Sequence, residues 1–139
     1  MKEKLTSEMI ESLAAYRLER ASKTIQEAVD LLEKDHFNAA VNRLYYACYY
    51  AVSALLAKNN IQVHTHAGAK QMFGMNFIVN DELPRKYNVI YAELFDKRHS
   101  GDYDDFLYFD RETVERLLPE SKEFIDAVSS LMATSDKQP

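Results

Sequence analysis

The chain has 139 residues, 47% of them hydrophobic, enough for one compact domain with a real core and too few for two. Gly and Pro number three each among long runs of Leu, Ala, Glu, Lys and Tyr, which excludes a turn-rich β architecture and favours helices with short connections. The net charge of −5 repels nucleic acid overall, so contact with a phosphate chain needs a local basic patch, within one subunit or shared between two.

No run approaches the roughly 20 apolar residues of a membrane helix, and Met1-Lys2-Glu3-Lys4 leads into polar residues rather than a secretory apolar run. A cytoplasmic protein without membrane contact is expected. From about Ser7 to Lys34, Ile10, Leu13, Ala14, Ala21, Ile25, Ala28, Val29 and Leu32 recur at the spacing of one helical face. Asp35 to Asn38 forms a break, and a central helix then runs to about Lys58, where Asn59-Asn60 ends it because Asn tolerates the left-handed conformation. The short connection predicts an antiparallel hairpin. Ile61 to Gly68 reads as a polar loop, and Ala69, Met72, Phe73, Phe77 and Ile78 mark a shorter third helix stopping near Asn80-Asp81. Pro84 opens a fourth helix with inner face Tyr87, Ile90, Tyr91, Leu94 and Phe95, ending at or just beyond Arg98. Ser100 to Phe109 reads as a loop rich in Asp and aromatics, and Asp110 as the cap of a last helix carrying Val114, Leu117, Leu118, Phe124, Ile125, Val128, Leu131 and Met132, kinked at Pro119. The prediction is all-α: a single up-down bundle of about five helices, core about 7–133, with a disordered tail over 134–139. One hairpin resembles a tetratricopeptide unit, but no copies follow it at a fixed spacing.

The central helix is apolar almost all round yet contains Asn42, Arg43, Tyr45, Tyr46, Tyr49 and Tyr50, which places it in the middle of the bundle. A buried Arg43 without a partner would cost several kcal/mol, so a distant acceptor is expected to meet it, with Arg98 to Tyr103 the best candidate segment. Tyr45 and Tyr49 share one stripe and Tyr46 and Tyr50 the next, so one pair at a time can face a given partner. Cys48 lies inside the apolar helix and reads as a small core residue. No metal or cofactor is expected. Glu33-Lys34-Asp35-His36 lacks the second copy a two-metal bundle requires, His64-Thr65-His66 lacks further ligands, and Asp102, Asp104, Asp105 and Asp110 lack a calcium-loop pattern. Gly68, Gly74 and Gly101 stand alone, and no nucleophile elbow appears.

Three motifs in order, Asn42-Arg43-x-Tyr45-Tyr46-Ala47, Thr65-His66-x-Gly68 and Arg98-His99-Ser100-Gly101-Asp102-Tyr103-Asp104, resemble the HEPN family, with order and spacing running from about Tyr16 to Ile125. The resemblance implies an up-down helical bundle that often homodimerises and is commonly found beside a minimal nucleotidyltransferase, in toxin–antitoxin pairs or other defence and RNA-processing systems. It also implies that active members cut RNA without metal, using an Arg and a His about a turn apart near the end of a core helix, in a cleft at the dimer interface. In this chain Arg98 matches the Arg, Asp102 and Tyr103 stand where the His would follow, and His99 adjoins Arg98. Proton exchange near neutral pH suits histidine and not an unperturbed tyrosine, so cleavage would require His99 or His66 in that role. The expected function is an RNA- or nucleotide-binding module of a toxin–antitoxin or related stress or defence system. Arg98 and His99 are the candidate catalytic positions, and Asn42, Arg43, Tyr46, His66, Asp102 and Tyr103 the candidate cleft. A silent protein–protein interaction domain forming a helical dimer and a metal-independent ribonuclease are the alternatives. Arg98 is equally readable as a structural clasp on Asp102.

Overall fold

The computed structural model describes residues 5–103, 105 and 107–136, with the backbone alone at 101–103, 135 and 136. Five α-helices make up the bundle: α1 (Ser7–Glu33), α2 (Phe37–Lys58), α3 (His66–Phe73), α4 (Arg85–Tyr103) and α5 (Arg111–Asp136). A π-helical turn, Gly74–Ile78, extends α3. No strand occurs among the described residues.

The ends of these helices follow local chemistry. Thr6 caps α1 by accepting from the Met9 amide at 3.1 Å, and Asp110 caps α5 by accepting from the Thr113 amide at 2.9 Å. Asp35, Asn60 and Asp81 take positive φ (63°, 59° and 59°), so short polar residues carry the left-handed turns that close α1, α2 and the π turn. Four boundaries differ from expectation. Asn38 belongs to α2 rather than to the break, and its side chain clamps the approach to α5 by donating to the Leu107 carbonyl at 2.9 Å and accepting from the Phe109 amide at 2.8 Å. The third helix starts at His66, because Thr65 caps it by accepting from the Gly68 amide at 2.8 Å; Gly68 lies inside the helix. The fourth helix runs past Arg98 to Tyr103, through a Ser-Gly-Asp stretch that propensity alone reads as loop. The last helix reaches Asp136, into the stretch expected to be a disordered tail, and continues across Pro119.

The α1–α2 hairpin is built on small residues. Ala14, Ala21 and Ala28 on α1 and Ala40, Ala47 and Ala54 on α2 are buried at seven-residue intervals, a spacing that lets two backbones pack closely along a seam. Its antiparallel register shows in three cross-seam pairs, Arg17 with Ser53, Arg20 with Tyr50 and Glu27 with Arg43, in which one partner's number falls as the other's rises. The other sides of α2 meet α4 and α5. There Tyr45, Tyr91, Phe73 and Phe124 are fully buried, with Tyr91 and Phe124 stacked at 5.6 Å and Tyr45 and Tyr91 at 5.9 Å. Rings of this size each bury about 150–250 Å², roughly 4–6 kcal/mol gross apiece, so this stack anchors the side of α2 on which the polar residues collect. Cys48 sits in the same core with no exposure, and burial pushes its thiol up to about 12, as expected of a packing residue.

Candidate functional site: two arginines and a histidine on a tyrosine cluster

Tyr46 on α2 is where a distant arginine and a neighbouring one meet. Arg98, from the last turns of α4, donates from Nη2 to the Tyr46 hydroxyl at 3.1 Å, and its guanidinium carbon lies 5.5 Å from the Tyr46 ring and 5.6 Å from that of Tyr45. The Arg43 guanidinium carbon lies 5.0 Å from the Tyr46 ring. Arg43 is not the deeply buried charge the sequence suggested. Its side chain is 30% exposed, and its acceptor is local: Nε and Nη2 donate to Asn42 Oδ1 at 3.2 and 2.8 Å, while Nη1 lies 3.9 Å from Glu27 on α1. The adjacent amide and the hairpin partner thus take the part expected of the Arg98–Tyr103 segment, and the two polar segments converge on a phenol.

His66 completes the cluster. As the first residue of α3 it is set by the Thr65 cap, stacks on Tyr49 at 4.3 Å and 27°, and stands perpendicular to Tyr46. Its Nδ1 is 2.7 Å from the Tyr45 hydroxyl. Burial pushes the Tyr45 phenol up to about 12, so Tyr45 keeps its proton and is assigned as the donor, leaving the imidazole hydrogen on Nε2. Burial first, and the positive charge of Arg98 second, lower the pKa of His66, which keeps the ring neutral near pH 7. The expectation of one tyrosine pair per partner is too strict, since His66 touches Tyr45, Tyr46 and Tyr49 together.

Of the residues named from sequence, the fold brings together Arg98, Arg43, Asn42, Tyr46 and His66. His99 is exposed and, as the next residue on a helix, points about 100° away from Arg98. The side chains of Asp102 and Tyr103 lie outside the described residues, and with them the clasp between Arg98 and Asp102. Tyr45 and Tyr49 were not among the cleft candidates, although their shared stripe was visible; a stripe does not reveal which histidine will reach it. Among the described residues no three His, Cys, Asp or Glu side chains converge on a metal position. A separate cleft of about 260 Å³ lies between the start of α1, the end of α2 and the loop before α3, and shares Tyr49 with the cluster. Among the described residues no helix is long and apolar enough to cross a membrane.

The HEPN domain model matches residues 14–131, which runs from within α1 to within α5 and includes every residue of the cluster. The chain belongs to the HEPN family. Its relatives include a UPF0332 protein of Thermotoga maritima, 30% identical over 122 residues, 88% of this chain and 92% of that one. Two proteins of Methanocaldococcus jannaschii are also similar. One, named "Putative toxin MJ0142", is 28% identical over 86% of this chain and 81% of its own; the other, "Putative toxin MJ0605", is 28% identical over 95% and 97%. Within this HEPN bundle Arg98 keeps its place near the end of a core helix, while the histidine beside it comes from α3.

Proposed function

We propose that this chain is an RNA- or nucleotide-binding HEPN module of a toxin–antitoxin or related stress or defence system, cytoplasmic and homodimeric, with Arg98 as its phosphate ligand. The observation that carries the reading is the meeting of Arg43 and Arg98 on the single ring of Tyr46. Guanidinium groups supplied by two helices to one ring are suited to grip an anion from two sides. Guanidinium groups bind phosphate through paired, charge-assisted hydrogen bonds, which selects this anion above others. Asn42 orients Arg43, and Tyr46 offers an aromatic edge for a base or ribose. The names of the two archaeal relatives support the toxin part of the reading. A second copy is the partner suited to the exposed Met75, Val79 and Val89, and a nucleotidyltransferase protein is the partner class that the family resemblance suggests. Arg98→Ala should lower affinity for RNA or a nucleotide about ten- to a hundredfold while the bundle stays folded. A wild-type protein that binds neither would sink this reading in favour of a silent interaction domain.

His66 supports a second reading, a metal-independent ribonuclease. A neutral imidazole with its tautomer set by Tyr45, packed on the ring to which Arg98 donates, has the protonation state of a general base near pH 7. In that case His66→Ala abolishes cleavage of bound RNA and Arg98→Ala weakens both cleavage and binding. Intact RNA after prolonged incubation with saturating wild-type protein leaves the binding reading alone.

A further inference from the structure

The Arg98 cluster is one end of a longer row. Along the α1–α2 seam, the Tyr46 ring lies 6.2 Å from that of Tyr50, one helical turn further on. Arg20 on α1 donates to the Tyr50 hydroxyl at 2.9 Å, with its guanidinium carbon 4.5 Å above the ring. Tyr16, 56% exposed, lies one turn before Arg20 on the same helix. Arginine and tyrosine therefore alternate from α4 across α2 to α1, with the Glu27 carboxylate 3.9 Å from Arg43.

The row does more than staple the hairpin. Ala21, Ile25 and Ala28 already bury the α1 side of this seam, whereas the Arg20–Tyr50 bond is exposed, and a contact of that kind adds little to stability. We propose that Tyr16, Arg20, Tyr50, Arg43, Tyr46 and Arg98 form a track for a short single-stranded polynucleotide whose phosphate enters at Arg98. This deepens the binding reading above and rests on it. The spacing suits a single strand: 6.2 Å between phenols is nearly twice the rise of about 3.4 Å between stacked nucleotides, so adjacent bases must part to lie on separate rings. Guanidinium planes such as exposed Arg20 offer further stacking faces and neutralise the phosphates between them. Duplex bases are stacked on each other and cannot use the row.

Fluorescence polarisation with labelled diuridylate, hexauridylate, hexathymidylate and a self-complementary RNA duplex tests this. The wild type should bind the hexamer more tightly than the dimer, and the duplex worst. Tyr50→Leu should lower hexamer affinity about five- to a hundredfold, the range for a lost base-stacking platform. Arg20→Gln, at an exposed position that leaves the fold undisturbed, should reduce the slope of log affinity against log salt by about 0.7. Both should weaken the hexamer more than the dimer. Whichever hexamer binds more tightly, ribose or deoxyribose, names the source of the strand. Hexamer affinity unchanged in both variants, or a duplex binding as well as the single strand, overturns the track while the Arg98 reading survives. Loss of hexamer and dimer binding together in Arg98→Ala alone likewise removes the track and keeps the Arg98 site, and no binding by the wild type removes both proposals.

Discussion

Arg116 and Arg20 each reach across a helix seam, from α5 to α4 and from α1 to α2, but toward opposite chemistry. Arg116 donates to Glu93 at 3.1 Å and to Glu120 at 3.3 Å, and Arg111 on the same helix pairs with Asp35 and, at 3.5 Å, with Glu115. Arg20 and Arg98 instead donate to the phenols of Tyr50 and Tyr46. A carboxylate cancels the charge of its arginine, so the α4–α5 seam is electrically closed and works as a staple. A phenol is neutral at pH 7 and cancels none of the charge that it meets. An acidic protein can in this way keep positive charge exposed at Arg20.

Four experiments would break or sharpen that contrast. The largest effect belongs to Tyr45, the buried root of the phenol side: Tyr45→Ala should cost about 3–5 kcal/mol in thermal or urea unfolding, the range for emptying an aromatic-sized core site. Tyr45→Phe keeps the ring and loses the bond to His66, so about 1 kcal/mol is expected; equal losses would place the stability in the hydroxyl instead. Next, Arg116→Ala should leave nucleic-acid affinity unchanged and cost under about 1 kcal/mol, since its ion pairs are half-exposed. If it weakened binding as much as Arg98→Ala, the distinction between closed and open seams would collapse.

The two seams should also answer differently to acid. Folded His66 titrates below its ordinary value near 6.5, so between the two values the unfolded chain holds more protons and is favoured. Stability is complete above about pH 6.5 and falls as pH drops below it, and His66→Gln should remove that slope from melting temperatures measured across the window. The smallest effect lies on the other side. Hydrogen bonds from Arg116, with Lys97 assisting, hold the Glu93 carboxyl below its ordinary value of 4.5. Its contribution is present above pH 4.5 and lost as pH falls through the lowered value, so Arg116→Ala should melt with a shallower decline there. An unchanged acid limb would show the pair to be energetically idle.

Sequence reasoning succeeded where periodicity is strong and local. The one-face apolar spacing of α1, the apolar α2 and the Asp110 cap all became the predicted elements. It fell short at Thr65-His66, where one capping hydroxyl starts a helix inside a stretch whose polar residues read as loop, and at Ser100 to Tyr103, where weak helix formers are carried as the end of a packed helix. The site was half legible. Arg43 and Tyr46 stood out as polar groups in an apolar helix and Arg98 through the family motif, but the partner expected for Arg43 was distant, and the actual acceptor was its neighbour Asn42.

The amino-acid sequence by itself determined an all-α bundle, its HEPN motifs and the two tyrosine stripes, because helix periodicity, caps and residue order are properties of neighbours along the chain. Tertiary structure alone decided that the histidine beside Arg98 is His66, that Tyr45 holds its tautomer, and that Arg20 lies over Tyr50. The last two pairings span 21 and 30 positions, and all three depend on the register of α1 on α2 and the seat of α3 against both stripes. A shift of one residue in that register turns each side chain by about 100° and dissolves the cluster, yet leaves every local pattern in the sequence unchanged.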